Sequence, residues 1–189
     1  MKGNQIIVLT ESEDQRILQS TEDYHSKSAE AANLGCGTPE SDISRESDDV
    51  KSDLVAYVDG GCLGNPGPSG IGVVIQGCES GPIRIAKWIG NQDNNVAEYA
   101  ALMEALQYAV ALNARKLHVY SDSQVVVRQM TGEYTCRSPR LYSLHWTCRK
   151  LARALKFSIS HVPRENNAEA NRLAQSALKR KNKGSGGRG

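Results

Sequence analysis

Two apolar runs that each end in an aspartate constrain the fold of this 189-residue chain more than any other feature. Leu54–Val58 is followed at once by Asp59, and Lys116–Tyr120 by Ser121-Asp122. Short apolar runs bounded by turn residues read as buried strands. Between them, Ile71–Gln76 and Ile83–Ile89 flank the turn Gly77–Pro82, which predicts a hairpin. A long helix then starts after Asn94-Asn95, with Tyr99, Leu102, Met103, Leu106, Ala109 and Val110 at helical spacing on one face. Two strands joined through a hairpin and a helix are expected to lie parallel and adjacent. A short helix over Ser123–Met130, a helix over Pro139–Leu155, a strand over Phe157–Val162 and a helix over Asn167–Lys179 complete the order β-β-β-α-β-α-α-β-α. The expected class is α/β, with a five-stranded mixed sheet flanked by helices on both faces.

Parallel neighbours bring their carboxyl ends to one sheet edge, where open α/β sheets bind ligands. Adjacent strands sit about 4.8 Å apart, so Asp59 and Asp122 would face each other across a gap that suits a divalent cation. Glu98, expected in the first turn of the connecting helix, would add a third carboxylate. An all-oxygen set of this kind suits Mg²⁺ or Mn²⁺ and not zinc. Each residue alone also has a structural reading. An aspartate after a strand is a common turn or cap, and a glutamate at a helix start meets the helix dipole favourably.

Charge divides the chain. Residues 1–53 carry 12 acidic and 5 basic residues, and residues 54–189 carry 9 acidic and 18 basic. The first part is also poor in apolar residues and reads as a disordered acidic extension. Within it, Ile6–Leu9 is too short for a signal-peptide core but long enough to pair as a strand. Residues 54–180 form the expected domain, and 181–189 a basic, glycine-rich flexible tail. The basic excess suits a polyanionic partner or a solvated surface. Glu98, Glu104 and Gln107 interrupt the apolar stretch Val96–Leu112, which excludes a membrane span there. The five cysteines are odd in number and contain no C-x-x-C pair, which fits reduced thiols in a cytoplasmic compartment; a monomer is the default expectation.

Four stretches then occur in a telling order: Asp59-Gly-Gly-Cys-Leu-Gly-Asn-Pro-Gly-Pro-Ser-Gly, Asn94-Asn95-Val-Ala-Glu98-Tyr, Tyr120-Ser-Asp122-Ser-Gln124, and His161-Val-Pro-Arg-Glu-Asn-Asn167 running into Ala168-Glu-Ala-Asn171-Arg-Leu-Ala. In wording and spacing they resemble type 1 ribonuclease H over about 54–180. The resemblance implies a ribonuclease H-like fold. It also implies an endoribonuclease that hydrolyses the RNA strand of RNA–DNA hybrids with two Mg²⁺ ions, replaceable by Mn²⁺, leaving 5′-phosphate and 3′-hydroxyl ends. By motif position, Asp59, Glu98, Asp122 and Asn171 would be the catalytic, metal-holding set. Cys62, Gly64, Asn65, Asn94, Asn95, Ser123 and Gln124 would contact the hybrid, and the 2′-hydroxyls exposed in its minor groove distinguish RNA from DNA. Taken alone, Asn65-Pro66-Gly67 reads as an ordinary turn and Ser123 as a helix cap. The Gly-Asn-Pro-Gly loop and the Ser-Asp-Ser-Gln motif stand closer to ribonuclease H than to other nucleases or transposases of the same fold.

The chain departs from the family pattern at four places. The position of the usual fourth carboxylate is Asn171, which implies a weaker second metal site; the alternatives are an engineered substitution that traps substrate and a natural hybrid-binding protein with little catalysis. The loop before the last helix is tight. It leaves His161 with a structural role and makes Arg164 the candidate near the scissile phosphate, because a guanidinium grips phosphate in a bidentate fashion. The basic protrusion of some bacterial members is missing, so Arg137, Arg140, Arg149, Lys150 and Arg153 are left as a weaker handle for the hybrid. Asp93 replaces a small hydroxyl residue that contacts a DNA phosphate in some relatives.

Overall fold

A computed structural model describes residues 6–7 and 52–184. The elements are β1 (Ile6–Ile7), β2 (Asp53–Cys62), β3 (Gly67–Gln76), β4 (Ile83–Gln92), α1 (Asn94–Ala111), β5 (Lys116–Ser121), α2 (Gln124–Thr131), α3 (Pro139–Ala152), β6 (Lys156–His161) and α4 (Ala168–Gly184), with a 3₁₀ turn over Arg164–Asn167 before α4. The sheet order is β1-β4-β3-β2-β5-β6. β3 pairs antiparallel with β2 and with β4, whereas β5 is parallel to β2 and to β6. The five expected strands are therefore present in a mixed sheet, and β2 and β5 are parallel neighbours with Val58 opposite Ser121.

Most element ends shift from expectation by one to four residues, and three differences matter to the architecture. A sixth strand, β1, adds to the sheet edge as Ile6 and Ile7 pair in parallel with Arg84 and Ile85. Residues 1–5 and 8–51 of the acidic extension lie outside the described residues. The final helix runs to Gly184, past the expected start of the tail at 181, and 185–189 also lie outside the described residues. β3 begins at Gly67, inside the stretch that reads as a loop, because its backbone pairs with Gln92 and Asn91 on one side and with Cys62 and Gly61 on the other.

The alternation of side chains along β2 divides the core. Leu54, Ala56 and Val58 face α1 and α3, packing with Val73, Leu117 and Val119 of the sheet and with Tyr99, Leu102, Leu106, Leu141 and Cys148 of the helices. On the opposite face, Val74 and Ala86 pack against Leu173 and Ala177 of α4. Asp59 and Asp122 follow Val58 and Ser121 by one residue, so the pleat turns both toward the α4 face. Gly72 fixes how closely α4 approaches that face. A Cβ there would lie 2.0 Å from the Ala170 carbonyl oxygen and 2.6 Å from the Ala174 nitrogen. Among the described residues no helix is long and apolar enough to cross a membrane.

Candidate active site

Asp59, Glu98 and Asp122 converge at the shared carboxyl ends of β2 and β5. One ligand oxygen from each lies within 4.8 Å of the other two. Glu98 reaches the cluster because Gly60 lets α1 press against β2: a Cβ on Gly60 would sit 2.1 Å from the Ala97 carbonyl carbon. At that separation the Gly60 N–H donates to Glu98 Oε2 at 3.2 Å. Glu98 is the fifth residue of α1, one step past the expected first turn, and the helix is capped instead by Asp93, whose Oδ1 accepts from the Val96 N–H at 2.9 Å.

Burying acids side by side penalises their charged forms. Burial first, then the Asp59 and Asp122 charges, push Glu98 up to about 9; the Gly60 N–H and Arg164 oppose the shift. Burial and then Asp122 push Asp59 up to about 6, again opposed by Arg164. Three carboxylates with only oxygen to offer, held together against their mutual repulsion, fit a hard divalent cation in the Mg²⁺ class.

Two residues of the 3₁₀ turn and two of α4 frame the cluster. Asn167 is buried, and its Nδ2 donates to the Val58 carbonyl at 2.8 Å and to Asp122 Oδ1 at 3.0 Å. It was not among the residues the motifs single out as functional; its one sequence signal is its place before the alanine-rich final helix. Asn171 is also buried. When its amide is oriented to satisfy both ends, its oxygen accepts from Arg164 Nε at 2.9 Å and from Nη2 at 2.5 Å. In that orientation the Asn171 nitrogen faces the Gln175 carboxamide at 2.6 Å. Asp59, Glu98, Arg164 and Gln175 line one cavity of about 490 Å³, with Cys62 and Asn94 on its rim.

The other expected contacts form a loop-to-helix junction beside this cavity. Asn65 Oδ1 accepts from the Asn94 N–H at 3.2 Å, and Cys62 Sγ lies 2.6 Å from the Gly64 carbonyl. Gly64 adopts a φ of 89°, which favours glycine. Asn94, Asn95 and Gln124 are exposed. Ser123 Oγ caps α2 by accepting from the Val126 N–H at 3.5 Å. His161 ends β6 opposite Ser121 and is exposed. Asp93 also pairs with Arg140 of α3 at 3.5 Å.

The Reverse transcriptase-like family model matches residues 57–177. Ribonuclease HI of Halobacterium salinarum is 38% identical over 125 residues, which cover 65% of this chain and 63% of that protein. Bifunctional protein Rv2228c of Mycobacterium tuberculosis is 38% identical over 128 residues, covering 66% of this chain but 35% of that protein, so the chain spans about a third of the mycobacterial relative's length. Among solved structures, RNase H1 from the halophilic archaeon Halobacterium salinarum NRC-1 superposes with a TM-score of 0.64 at 36% identity, covering 68% of this chain and 98% of that one. LC11-RNase H1, solved in complex with an RNA/DNA hybrid, gives a TM-score of 0.63 at 34% identity, covering 68% and 98%. With its expected motifs gathered at one sheet edge, the chain belongs to this ribonuclease H-like family as a type 1 ribonuclease H domain.

Proposed function

We propose that the domain hydrolyses the RNA strand of RNA–DNA hybrids in a divalent-cation-dependent reaction. The observation that carries this reading is the convergence of Asp59, Glu98 and Asp122 within 4.8 Å at the ends of two parallel strands. The solved hybrid complex of LC11-RNase H1 supports the substrate class. Asp59, Glu98 and Asp122 would hold Mg²⁺, or Mn²⁺ in its place, with two ions engaged once hybrid is bound. When bound, the cations supply a polarised water and stabilise charge on the leaving 3′ oxygen, which gives 5′-phosphate and 3′-hydroxyl ends.

The chain's own groups orient and select. Asn65, Asn94, Asn95 and Gln124 present amides to the minor groove, where the 2′-hydroxyls are displayed. The backbone from Cys62 to Gly64 approaches the strand closely, and Ser123 holds the start of α2 beside Asp122. Arg164 grips a phosphate of the cut strand. Cation binding would compete with the proton that burial favours on Glu98. The convergence of three carboxylates favours hydrolysis over a hybrid-binding protein without catalysis.

The test is cleavage of a labelled RNA–DNA hybrid in Mg²⁺ and in Mn²⁺, beside matched DNA and RNA duplexes. The expected result is cutting of the RNA strand of the hybrid alone, abolished by EDTA and by Asp59→Asn. Cutting of duplex DNA, or no cutting in either metal, overturns the proposal.

A further inference from the structure

The geometry points to Asn171 as a positioning residue for Arg164: a neutral amide that fixes the guanidinium at the carboxylate cavity without cancelling its charge. This inference rests on the hybrid-hydrolysis reading above. It concerns what stands at the fourth position of the site and what that residue does.

Arg164 opens the 3₁₀ turn that precedes α4 and lines the same cavity as Asp59 and Glu98. Two of its N–H groups converge on the Asn171 oxygen at 2.9 and 2.5 Å. One helical turn further on, the Gln175 carboxamide faces the Asn171 nitrogen at 2.6 Å in this orientation. The Asn171 oxygen is therefore committed to the guanidinium and is not free to serve as a cation ligand. A guanidinium carries five N–H donors, so three remain for phosphate oxygens. A carboxylate at position 171 would hold Arg164 more strongly, because charge-assisted bonds to arginine are the stronger kind. It would also neutralise the arginine before any phosphate arrived.

Charge balance gives the consequence. Three carboxylates and one uncompensated guanidinium leave two negative charges, which a single divalent cation neutralises. The hybrid-free chain thus takes one cation, and Arg164 supplies positive charge at the cavity where a fourth carboxylate would have called for a second. Arg164 acts on both buried acids, because its charge opposes the upward shifts of Asp59 and Glu98.

The test is a double-mutant cycle with Arg164→Ala and Asn171→Ala, read by two assays that need no turnover. The first counts Mn²⁺ bound by the hybrid-free chain and measures its affinity. The second measures hybrid affinity against salt, with Ca²⁺ in place of Mg²⁺. The parent chain is expected to bind one Mn²⁺. Each alanine variant is expected to bind it several-fold more tightly, because a positive charge beside the carboxylates has been removed or released. The salt slope of hybrid binding should fall by about one in each single variant and no further in the double variant. Weaker Mn²⁺ binding by Asn171→Ala makes the amide a cation ligand and overturns the inference, as does additivity of the two variants. Asn171→Asp decides the matter if the alanine variant does not fold. Its new carboxylate should capture Arg164 and lower the salt slope by about one, and an unchanged slope overturns the inference. A parent chain that binds no hybrid defeats the functional reading instead, while the Mn²⁺ titrations still judge the pairing.

Discussion

The Asn167 side chain ties Asp122 to the neighbouring strand: one nitrogen donates to Asp122 Oδ1 at 3.0 Å and to the Val58 carbonyl, one residue before Asp59, at 2.8 Å. A single buried amide therefore fixes the spacing of two acids that belong to different strands. Without it, repulsion between Asp59 and Asp122 would be free to spread the cluster before a cation arrived.

Asn167→Ala tests this directly. It removes the side-chain hydrogen bond to the Val58 carbonyl in the interior, and losing a buried hydrogen-bond partner costs about 1–3 kcal/mol of stability. Partners that orient metal ligands typically cost 10–100-fold in metal affinity or activity when removed, so a loss of roughly that size is expected for cleavage at limiting Mg²⁺. Thermal melts and a Mg²⁺ titration of the cleavage rate check both effects. Unchanged cation dependence in a destabilised variant would reduce Asn167 to packing.

The pH dependence of the cation-free protein follows from Glu98 and Asp59. Glu98 rises to about 9 and Asp59 to about 6 in the folded chain, against ordinary values of about 4.3 and 3.9 when unfolded. Between its two values each group holds a proton in the native state that the unfolded state has released. Stability therefore falls as pH rises through that window. In EDTA the melting temperature is expected to decline from pH 5 to pH 9, more steeply below about pH 6, where both groups contribute, than above it, where Glu98 alone does. Glu98→Gln should flatten the curve and melt higher than the parent at pH 9. Added Mg²⁺ should stabilise the parent more at pH 9 than at pH 6, because binding competes with the proton. A parent melting profile that is level in EDTA removes the buried-acid account.

Two adjacent glycines provide an internal control for the packing that delivers Glu98. A Cβ at Gly60 meets the α1 backbone at 2.1 Å, whereas a Cβ at Gly61 meets nothing within 4 Å. Gly60→Ala must push α1 off β2, an overpacking that costs about 1–3 kcal/mol and sometimes more. It also pulls Glu98 away from the cluster, so cleavage should fall further than stability alone explains. Gly61→Ala should melt within about 0.5 kcal/mol of the parent, as unobstructed surface substitutions do. Equal melting temperatures for the two variants would contradict the close approach.

The parts of this architecture that were legible in the sequence are those encoded by side-chain pattern. The apolar runs before Asp59 and Asp122, and the helical face from Tyr99 to Val110, dictated a parallel pair with both acids at one edge, and the structure has that pair. The start of β3 was not legible, because Gly67-Pro68-Ser69-Gly70 pairs through its backbone and shows no alternation. β1 is two residues long and leaves too short a pattern to place. The apolar periodicity sets the helix start too late and so Glu98 one step too early; a cap declares itself only through the Asp93 side chain folding back on Val96. At the site, the substitution at Asn171 was visible as a letter. Its partner was not, because the Arg164 guanidinium meets it only once the 3₁₀ turn has folded back on α4.

Asp93 combines two duties that a substitution can separate. Its Oδ1 caps α1, and its carboxylate pairs with Arg140 at 3.5 Å, next to the exposed Asn94 and Asn95. The arginine end of the ion pair is largely solvated, and exposed pairs contribute about 0–1 kcal/mol. The cap is worth more: replacing a capping side chain with alanine costs about 0.5–2 kcal/mol. Asp93→Ser keeps the cap, removes a negative charge beside the proposed minor-groove contacts and releases Arg140 toward the hybrid. Its melting temperature should stay near the parent's, while its hybrid affinity at low salt rises several-fold. That gain should shrink as salt screens the exposed charges. Asp93→Ala should show the same gain in affinity together with the loss of the cap. Equal affinity of parent and Asp93→Ser at low salt would place Arg140 outside the hybrid's reach and confine Asp93 to capping α1.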